Sequence, residues 1–327
     1  MLLSSCVVWR YRGFEDFRAE CPGGDPALQR LVFDALDDGI AWLESLGAPV
    51  TEAETGNPRT VGKRFDPRGL TEALVRAAGG ELRLGATLPP EVLEGPGPLV
   101  LATGGFQGSA ELVERHIRPA APLRLRANRW SAGDGLSVGL ARGAATSAGM
   151  DEFYGRNMPD APFGEDDFVP LAQLYGRFAR VFNERGEEFF DREASWSETD
   201  LVQATARQPG ARAWYVLDEE ALGKRVRERT VADMVALAPT AVDPTLLPFP
   251  PPLGAKVAVR VAPGITHTIG GLRVDEHARV LDEAGEPIPD LYAAGADVGG
   301  ISTGGYASGL AAALVLGRTA AESARAA

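Results

Sequence analysis

Two glycine-rich turns, each at the end of an apolar strand, are the segments of this sequence best suited to binding. The first lies in LVLATGG, where Leu99–Ala102 has a buried-strand pattern and Thr103, Gly104 and Gly105 form a turn without bulk. The second lies at positions 288–318, IPDLYAAGADVGGISTGGYASGLAAALVLGR, where a strand and a turn lead into a helix of small residues. Such turns let a ligand or another backbone approach closely. A plain strand end or a tight helix cap would carry the same residues, so both interpretations stay open.

Metal chemistry has little support in the sequence. His116, His267 and His277 are far apart, and neither Cys6 nor Cys21 belongs to a CxxC pair. Zinc and similar ions need several such ligands at short, regular spacing. The sequence therefore predicts no metal site.

The elements that must position these turns can be predicted from helix caps and apolar periodicity. Asp25 is the expected N-cap of a first helix, and Asp134 can cap a later one. The middle of the chain, 150–237, is richer in aromatic and charged residues, and a proline-rich linker follows at 243–252. The predicted helices are Pro26–Leu46, Arg68–Ala78, one from Asp134, Ala221–Leu237 and Tyr306–Ser323, and further predicted strands are Glu81–Leu84 and Ala213–Asp218.

Composition limits the classes of protein. A chain of 327 residues, 45% apolar and 24% charged, is an ordinary globular sequence, and its length favours two domains. The formal charge of -12 disfavours binding to nucleic acid or to anionic membranes. Two cysteines, no apolar run of about 20 residues and no signal-like start favour a reducing, cytoplasmic location without a membrane span.

Five motifs together resemble the flavoprotein superfamily of fumarate reductase and succinate dehydrogenase flavoprotein subunits and 3-ketosteroid dehydrogenases. They are LVLATGGF, SAGDGLSVGLARGAA, ITHTIGGLRVD, IPDLYAAGADVGG and GYASGLAAALVLGRTA. Each is weak alone, but here they occur in the family's order.

The resemblance implies an α/β fold with FAD as cofactor. Residues 1–145 and 256–327 would form a doubly wound, Rossmann-like FAD-binding domain, and 146–255 an inserted α+β cap for the substrate. The family opens with a G-x-G-x-x-G turn that holds the FAD pyrophosphate, and no such motif occurs in this sequence. The FAD domain is therefore expected to be N-terminally truncated, through a late start codon, a fragment or a genuine remnant.

Cofactor-binding residues follow from the same resemblance. The turn and helix start would lie against the flavin, where free amides stabilise negative charge on the reduced ring. The candidates there are Gly304, Gly305, Ser308, Gly309 and Leu310. Asp297 would reach the ribityl chain or else be a surface turn residue, and Thr103, Gly104 and Gly105 would lie at the adenosine side.

Tyr306 is the candidate most informative about the substrate. Fumarate reductases carry a carboxylate-binding arginine near this place, whereas ketosteroid dehydrogenases use a tyrosine and a glycine amide to polarise a ketone. Tyr306 could instead simply pack on the flavin edge. His267 matches a histidine of fumarate-reducing relatives or is structural, and Tyr154 and Arg156 in the cap would accept protons or anchor substrate. Trp196 stands where fumarate reductases place their proton-donating arginine.

The sequence thus predicts a flavin-dependent oxidoreductase, a dehydrogenase or reductase that acts on a CH–CH bond next to a carbonyl in a ketone or enone. It identifies no electron acceptor and leaves an oligomer open. The alternative is a flavin-free remnant that acts as a binding protein or is inactive. Without the first βαβ unit, the sheet of Leu99–Ala102 and Leu291–Ala293 should expose an edge.

Overall fold

Helices and short strands alternate along the chain. The structure, a computed structural model, describes residues 2–86, 95, 97–190, 194–195 and 197–326. The strands are β1 (Val7–Tyr11), β2 (Val50–Glu52), β3 (Thr60–Phe65), β4 (Leu99–Leu101), β5 (Arg124–Leu125), β6 (Phe153–Pro159), β7 (Arg180–Phe182), β8 (Glu188–Phe190), β9 (Ala213–Leu217), β10 (Arg225–Val226), β11 (Arg229–Thr230), β12 (Ala241–Val242), β13 (Val257–Thr268), β14 (Arg279–Leu281) and β15 (Pro287–Ala293). The helices are α1 (Phe14–Glu20), α2 (Pro26–Ser45), α3 (Pro67–Ala77), α4 (Ala110–His116), α5 (Asp134–Ala141), α6 (Thr199–Ala206), α7 (Glu219–Gly223), α8 (Val231–Leu237) and α9 (Gly309–Ala326).

The chain divides into two units. The first unit consists of Met1–Phe106, Ser131–Met150 and Ile269–Ala327, and the second of Gln107–Trp130 and Asp151–Thr268. Most of the predicted cap, 146–255, lies in the second unit, which also holds 107–130 and 256–268. The assignment of these parts to a cofactor domain and a cap remains a prediction.

The first unit contains two three-stranded sheets. One has the strand order β14-β15-β4, and β4 and β15 run parallel, with Leu99 opposite Leu291. The other has the order β1-β3-β2 and is antiparallel. The parallel pair ends at the two glycine turns identified in the sequence, because the turns at Thr103 and Gly295 follow β4 and β15 directly.

Helix α2 begins as its sequence predicts. The Asp25 carboxylate accepts hydrogen bonds from the amides of Ala27 (2.8 Å) and Leu28 (3.0 Å), and Pro26 occupies the first helical position. A side chain at Gly39 would lie 3.0 Å from Leu314 of α9. The small residue therefore lets α2 and α9 pack closely.

The second unit is built on one mixed sheet around the long strand β13. Its order is β12-β13-β9-β7-β8, and β5 and β6 also pair with β13. The antiparallel pairing with β6 places His267 opposite Tyr154, after a bulge between Ile265 and His267. Tyr175, Leu201 and Tyr215 are buried in the core beside this sheet.

Three sequence predictions about elements are wrong. The segment predicted as one helix, Ala221–Leu237, forms α7, the hairpin β10–β11 and α8, because Thr230 is the N-cap of α8 and shares a capping box with Asp233. Residues 81–84 form no strand. Helix α9 begins at Gly309 rather than at Tyr306.

Candidate functional site

The turn after β4 closes around a carboxylate of the same chain. Asp297 is only 1% exposed. One of its oxygens accepts from the Thr103 hydroxyl (3.0 Å) and the Gly105 amide (3.2 Å), and the other accepts a short bond from the Thr103 amide. Successive amides in such a turn form a concave anion-binding site. Here that site holds Asp297, and the contact of Asp297 with a ribityl chain remains a prediction.

Two opposing effects act on the ionisation of Asp297. Burial raises the pKa of its carboxyl above the ordinary value, while the hydrogen bonds from Thr103, Gly105 and Gly104 favour the ionised form. Burial is the larger effect, so the pKa is raised overall. The ionised form of this buried carboxyl therefore depends on the hydrogen-bond donors of the turn.

Helix α5 starts against the same carboxylate. The Gly135 amide donates to the Thr103 hydroxyl (2.9 Å), and a Cβ at Gly135 would lie 2.5 Å from an Asp297 oxygen. The N-cap is Gly133, in a left-handed conformation, and not Asp134 as predicted. Sequence reasoning missed Gly135, although the Gly-Asp-Gly triplet at the start of the helix was a visible signal.

The C-terminal turn joins Tyr306 to the first turn of α9. The Gly309 amide donates a hydrogen bond to the Tyr306 phenolic oxygen (3.2 Å), and the Ser308 hydroxyl accepts from the Ala311 amide (3.3 Å). The phenolic oxygen therefore acts as the acceptor in this bond and is fixed next to the first residue of α9. Tyr306 and Gly309 thus meet despite their three-residue spacing.

Gly304 and Gly305 pack against another segment of the first unit. A Cβ at Gly305 would lie 1.9 Å from the Glu20 carbonyl oxygen, and one at Gly304 would lie 3.0 Å from Pro22. The ring of Trp9 lies edge-on to Tyr306, with 6.2 Å between centroids. These glycines are required by close backbone packing, and their contact with a cofactor remains a prediction.

In the second unit the structure brings Tyr154, Arg156 and His267 together. Tyr154 and Arg156 lie on the same face of β6, and the Arg156 Nε donates to the Tyr154 phenolic oxygen (3.2 Å). The rings of Tyr154 and His267 are 5.3 Å apart. The three candidates therefore form one cluster, in which Tyr154 and Arg156 are buried and His267 is half-buried.

The pKa values of both the phenol and the imidazole in this cluster lie below their ordinary values. Burial alone would raise the pKa of Tyr154, but the guanidinium groups of Arg156, Arg126 and Arg227 outweigh it, and the pKa lies below its ordinary value. Burial lowers the pKa of His267, whose Nδ1 lies 2.8 Å from the Thr268 carbonyl. Tyr154 is accordingly the group in this cluster suited to accept a proton.

The comparison with protein families decides the class of this chain. The FAD binding domain family matches residues 94–310, about two thirds of the sequence. The chain belongs to this family. The match covers both glycine turns, β4, β15 and the start of α9. The predictions of the flavoprotein superfamily and of FAD as its cofactor are confirmed.

Curated relatives of this chain include fumarate reductases. A probable fumarate reductase, Ifc3 of Shewanella frigidimarina, is 25% identical over 92% of this chain. An NADH:fumarate oxidoreductase of Klebsiella pneumoniae is 26% identical over 67% of it. The chain spans about three fifths of the length of the first relative and about a quarter of that of the second.

Solved structures share the fold. The open conformation of a flavocytochrome c3 fumarate reductase matches 95% of this chain and 66% of its own, with a TM-score of 0.64 and 23% identity. A 3-ketosteroid-Δ4-(5α)-dehydrogenase from Rhodococcus jostii RHA1, in complex with 4-androstene-3,17-dione, matches 99% of this chain and 88% of its own, with a TM-score of 0.67 and 20% identity. The predicted α/β FAD-binding fold is therefore confirmed.

The residues present fit the flavin end of FAD. Among the residues that the structure describes, the Leu310 amide at the start of the 18-residue helix α9 has no acceptor. An unused amide at a helix N-terminus can bind the electron-rich edge of a flavin ring. The Leu310 amide is thus a donor suited to the ring, and its contact with the flavin remains a prediction. No G-x-G-x-x-G for the pyrophosphate occurs in the sequence.

Three predicted features concern membranes, metals and the cap. No helix within the described ranges is long and apolar enough to cross a membrane. The same part of the chain contains no cluster of ligands suited to a metal ion. Trp196, predicted to replace a proton-donating arginine, lies outside the described residues.

Proposed function

We propose that this chain is the core of an FAD-dependent oxidoreductase that acts on a carbon–carbon bond next to a ketone. The hydrogen bond from the Gly309 amide to Tyr306 is the observation that carries the proposal. It fixes the phenolic oxygen at the start of α9, beside the Leu310 amide. A phenol held in this way can polarise a carbonyl oxygen.

Tyr306 also argues against a dicarboxylate as the substrate. A carboxylate is bound best by an arginine, which offers two parallel donors. A tyrosine offers one neutral donor, which suits a ketone. The named fumarate reductases act on fumarate, so we propose that this chain departs from them in its choice of substrate.

Each residue has a distinct task in the proposed reaction. FAD, when bound, supplies the hydride acceptor. Tyr306 donates its hydrogen bond to the ketone oxygen and makes the neighbouring C–H bond more acidic. Tyr154, whose pKa lies below its ordinary value, is our candidate for the proton acceptor. The substrate loses one hydride and one proton and gains a C=C bond conjugated to the ketone, and the reverse reaction returns both.

Flavin binding is the first test. We expect the purified chain, mixed with FAD and desalted, to keep the visible absorption bands of a bound flavin. A protein that stays colourless under these conditions would contradict the proposal and favour the flavin-free alternative.

A tyrosine substitution tests the chemistry. We expect Tyr306→Phe to lower kcat/KM for a saturated ketone, assayed with an artificial electron acceptor, roughly 100-fold, because one donor to the developing enolate is lost. Tyr292→Phe is the matched control, since Tyr292 is a buried tyrosine of β15. Succinate serves as the dicarboxylate control and should be turned over poorly by both proteins. Equal activity of Tyr306→Phe and Tyr292→Phe would show that the proposed role is wrong.

A further inference from the structure

Arg156 is held at both ends of its guanidinium group. Its Nε donates to the Tyr154 phenol (3.2 Å), and its Nη1 donates a short bond to the Ser197 carbonyl. The Glu198 carboxylate lies 4.0 Å from the same Nη1. The Ser197–Glu198 turn is therefore the support that faces Tyr154 across Arg156.

The backbone at Glu198 is in a conformation that its residue type disfavours. Its φ is +54° and its ψ +16°, in the left-handed region, at the N-cap of α6. For a residue with a side chain this conformation is unfavourable, because the Cβ lies too close to the following carbonyl oxygen. Strained residues persist where the surroundings over-determine them, and such places are often functional.

A second arginine fixes the Glu198 carboxylate. Glu198 is 2% exposed, and one of its oxygens accepts from the Arg177 amide (3.3 Å) and the Arg177 Nε (3.4 Å). Burial raises the pKa of Glu198, while the charges of Arg156 and Arg177 oppose that rise. A buried carboxylate shared by two guanidinium groups restrains both of them.

We propose that Glu198 is a positioning residue, which holds the Arg156 guanidinium on the phenolic oxygen of Tyr154. This inference rests on the proposed function, in which Tyr154 accepts the proton. Glu198 contacts neither Tyr154 nor a substrate in this arrangement and acts through Arg156. This positioning role accounts for both the left-handed backbone at Glu198 and its buried pairing with Arg156 and Arg177.

Charged groups from several elements lie around Tyr154. Arg156 comes from its own strand, β6, Arg126 follows β5, and Arg227 lies between β10 and β11. His267 faces it from β13, and Glu198 lies at the start of α6, beyond Arg156. Of these groups only Glu198 is an acid. Its negative charge by itself would raise the pKa of Tyr154, whereas holding Arg156 on the phenol would lower that pKa.

The direction in which Tyr154 ionisation shifts distinguishes an effect of the Glu198 charge from an effect of Glu198 on the position of Arg156. If Glu198 acted only through its charge, Glu198→Asp would leave the ionisation of Tyr154 unchanged and Glu198→Gln would shift it to lower pH. If Glu198 positions Arg156, shortening the side chain releases the guanidinium, and ionisation shifts to higher pH by about one pH unit, since an opposite charge in contact is worth one unit or more.

Tyrosinate absorbance of the full chain, titrated with base, measures this shift without turnover. The Tyr154 step is the difference between wild type and Tyr154→Phe. We expect Glu198→Asp to move it to higher pH, and an unchanged or lowered step would overturn the proposal. Should Glu198→Asp fail to fold, Glu198→Gln decides by the same criterion.

The control is Asp160→Asn. Asp160 is another buried acid of the second unit, paired with Arg124 and Arg212, and it should leave the Tyr154 step in place. Because the titration needs neither FAD nor substrate, it tests the role of Glu198 even if the protein turns over no ketone. A loss of ketone turnover in Tyr306→Phe, conversely, tests the proposed function whatever the titration gives.

Discussion

At the residue scale, Asp297 is a carboxylate enclosed by main-chain donors. Its partners are the Thr103 hydroxyl and amide and the Gly105 amide, so removing the carboxylate leaves the buried Gly105 amide and the part-buried Thr103 donors without this acceptor. Unpaired buried donors are costly, and bonds to a charged acceptor are among the stronger ones. Asp297 therefore connects the end of β15 to the turn after β4 more firmly than packing alone would.

This arrangement predicts chemical rescue by a small acid. We expect Asp297→Ala to lose about 3 kcal/mol of unfolding free energy, since several bonds to a charged group disappear. Formate should restore part of the loss by occupying the vacated amides, measured as a rise in the urea midpoint.

The control for this experiment is Asp233→Ala. Asp233 belongs to the exposed capping box of α8, and its loss should cost about 1 kcal/mol or less and gain nothing from formate. If formate stabilised both variants equally, or neither, the amide site would not be the reason for the loss.

At the element scale, two helical glycines have different environments, so they affect the stability of their helices in different ways. Gly135 in α5 faces the Asp297 carboxylate, which a Cβ would approach to 2.5 Å. Gly317 in α9 has no atom within 4 Å of where a Cβ would lie. One glycine is required by its neighbour, and the other only weakens its helix.

The two alanine substitutions should therefore change stability in opposite directions. Gly317→Ala should raise the unfolding free energy by about 1 kcal/mol, because alanine has the higher helix propensity. Gly135→Ala should lower it by about 1–3 kcal/mol, because the added methyl group forces the Asp297 carboxylate to move. Urea denaturation of both variants measures the difference, and a stabilised Gly135→Ala would show that the contact is not restrictive.

At the scale of the whole molecule, the unpaired edge of β4 is the feature that we expect to promote association between copies of the chain. β4 pairs with β15 on one side and ends the sheet within the described residues, and its Val100 is 38% exposed. An unpaired strand with apolar side chains is a template for association. The expected marginal behaviour of the isolated chain follows from this edge.

A charge on the edge should reduce association. We expect Val100→Lys to lower the aggregated fraction several-fold in concentration-dependent light scattering, because edge lysines oppose strand pairing. Val75→Lys, on the exposed face of α3, adds the same charge elsewhere and should have little effect. A wild-type monomer with one cooperative transition at high temperature would contradict this prediction.

The sequence by itself determined the elements whose signals are local. Asp25 and Pro26 predicted the start of α2, the apolar run predicted β4, and the five ordered motifs predicted the FAD-binding fold. The helix predicted at 221–237 failed because the capping box at Thr230 and Asp233 outweighed the apolar periodicity. The pattern of Thr230 followed three residues later by Asp233 is a local signal for the start of α8.

Only the tertiary structure decided which groups meet. Asp297 and Thr103 are 194 positions apart, and Arg156 and Ser197 are 41 apart. Nothing in either local sequence shows that the acid fills an amide turn or that a carbonyl supports the guanidinium. Such contacts depend on how strands pair and helices pack, because hydrogen bonds act over a few ångströms in space while sequence patterns report only neighbours along the chain.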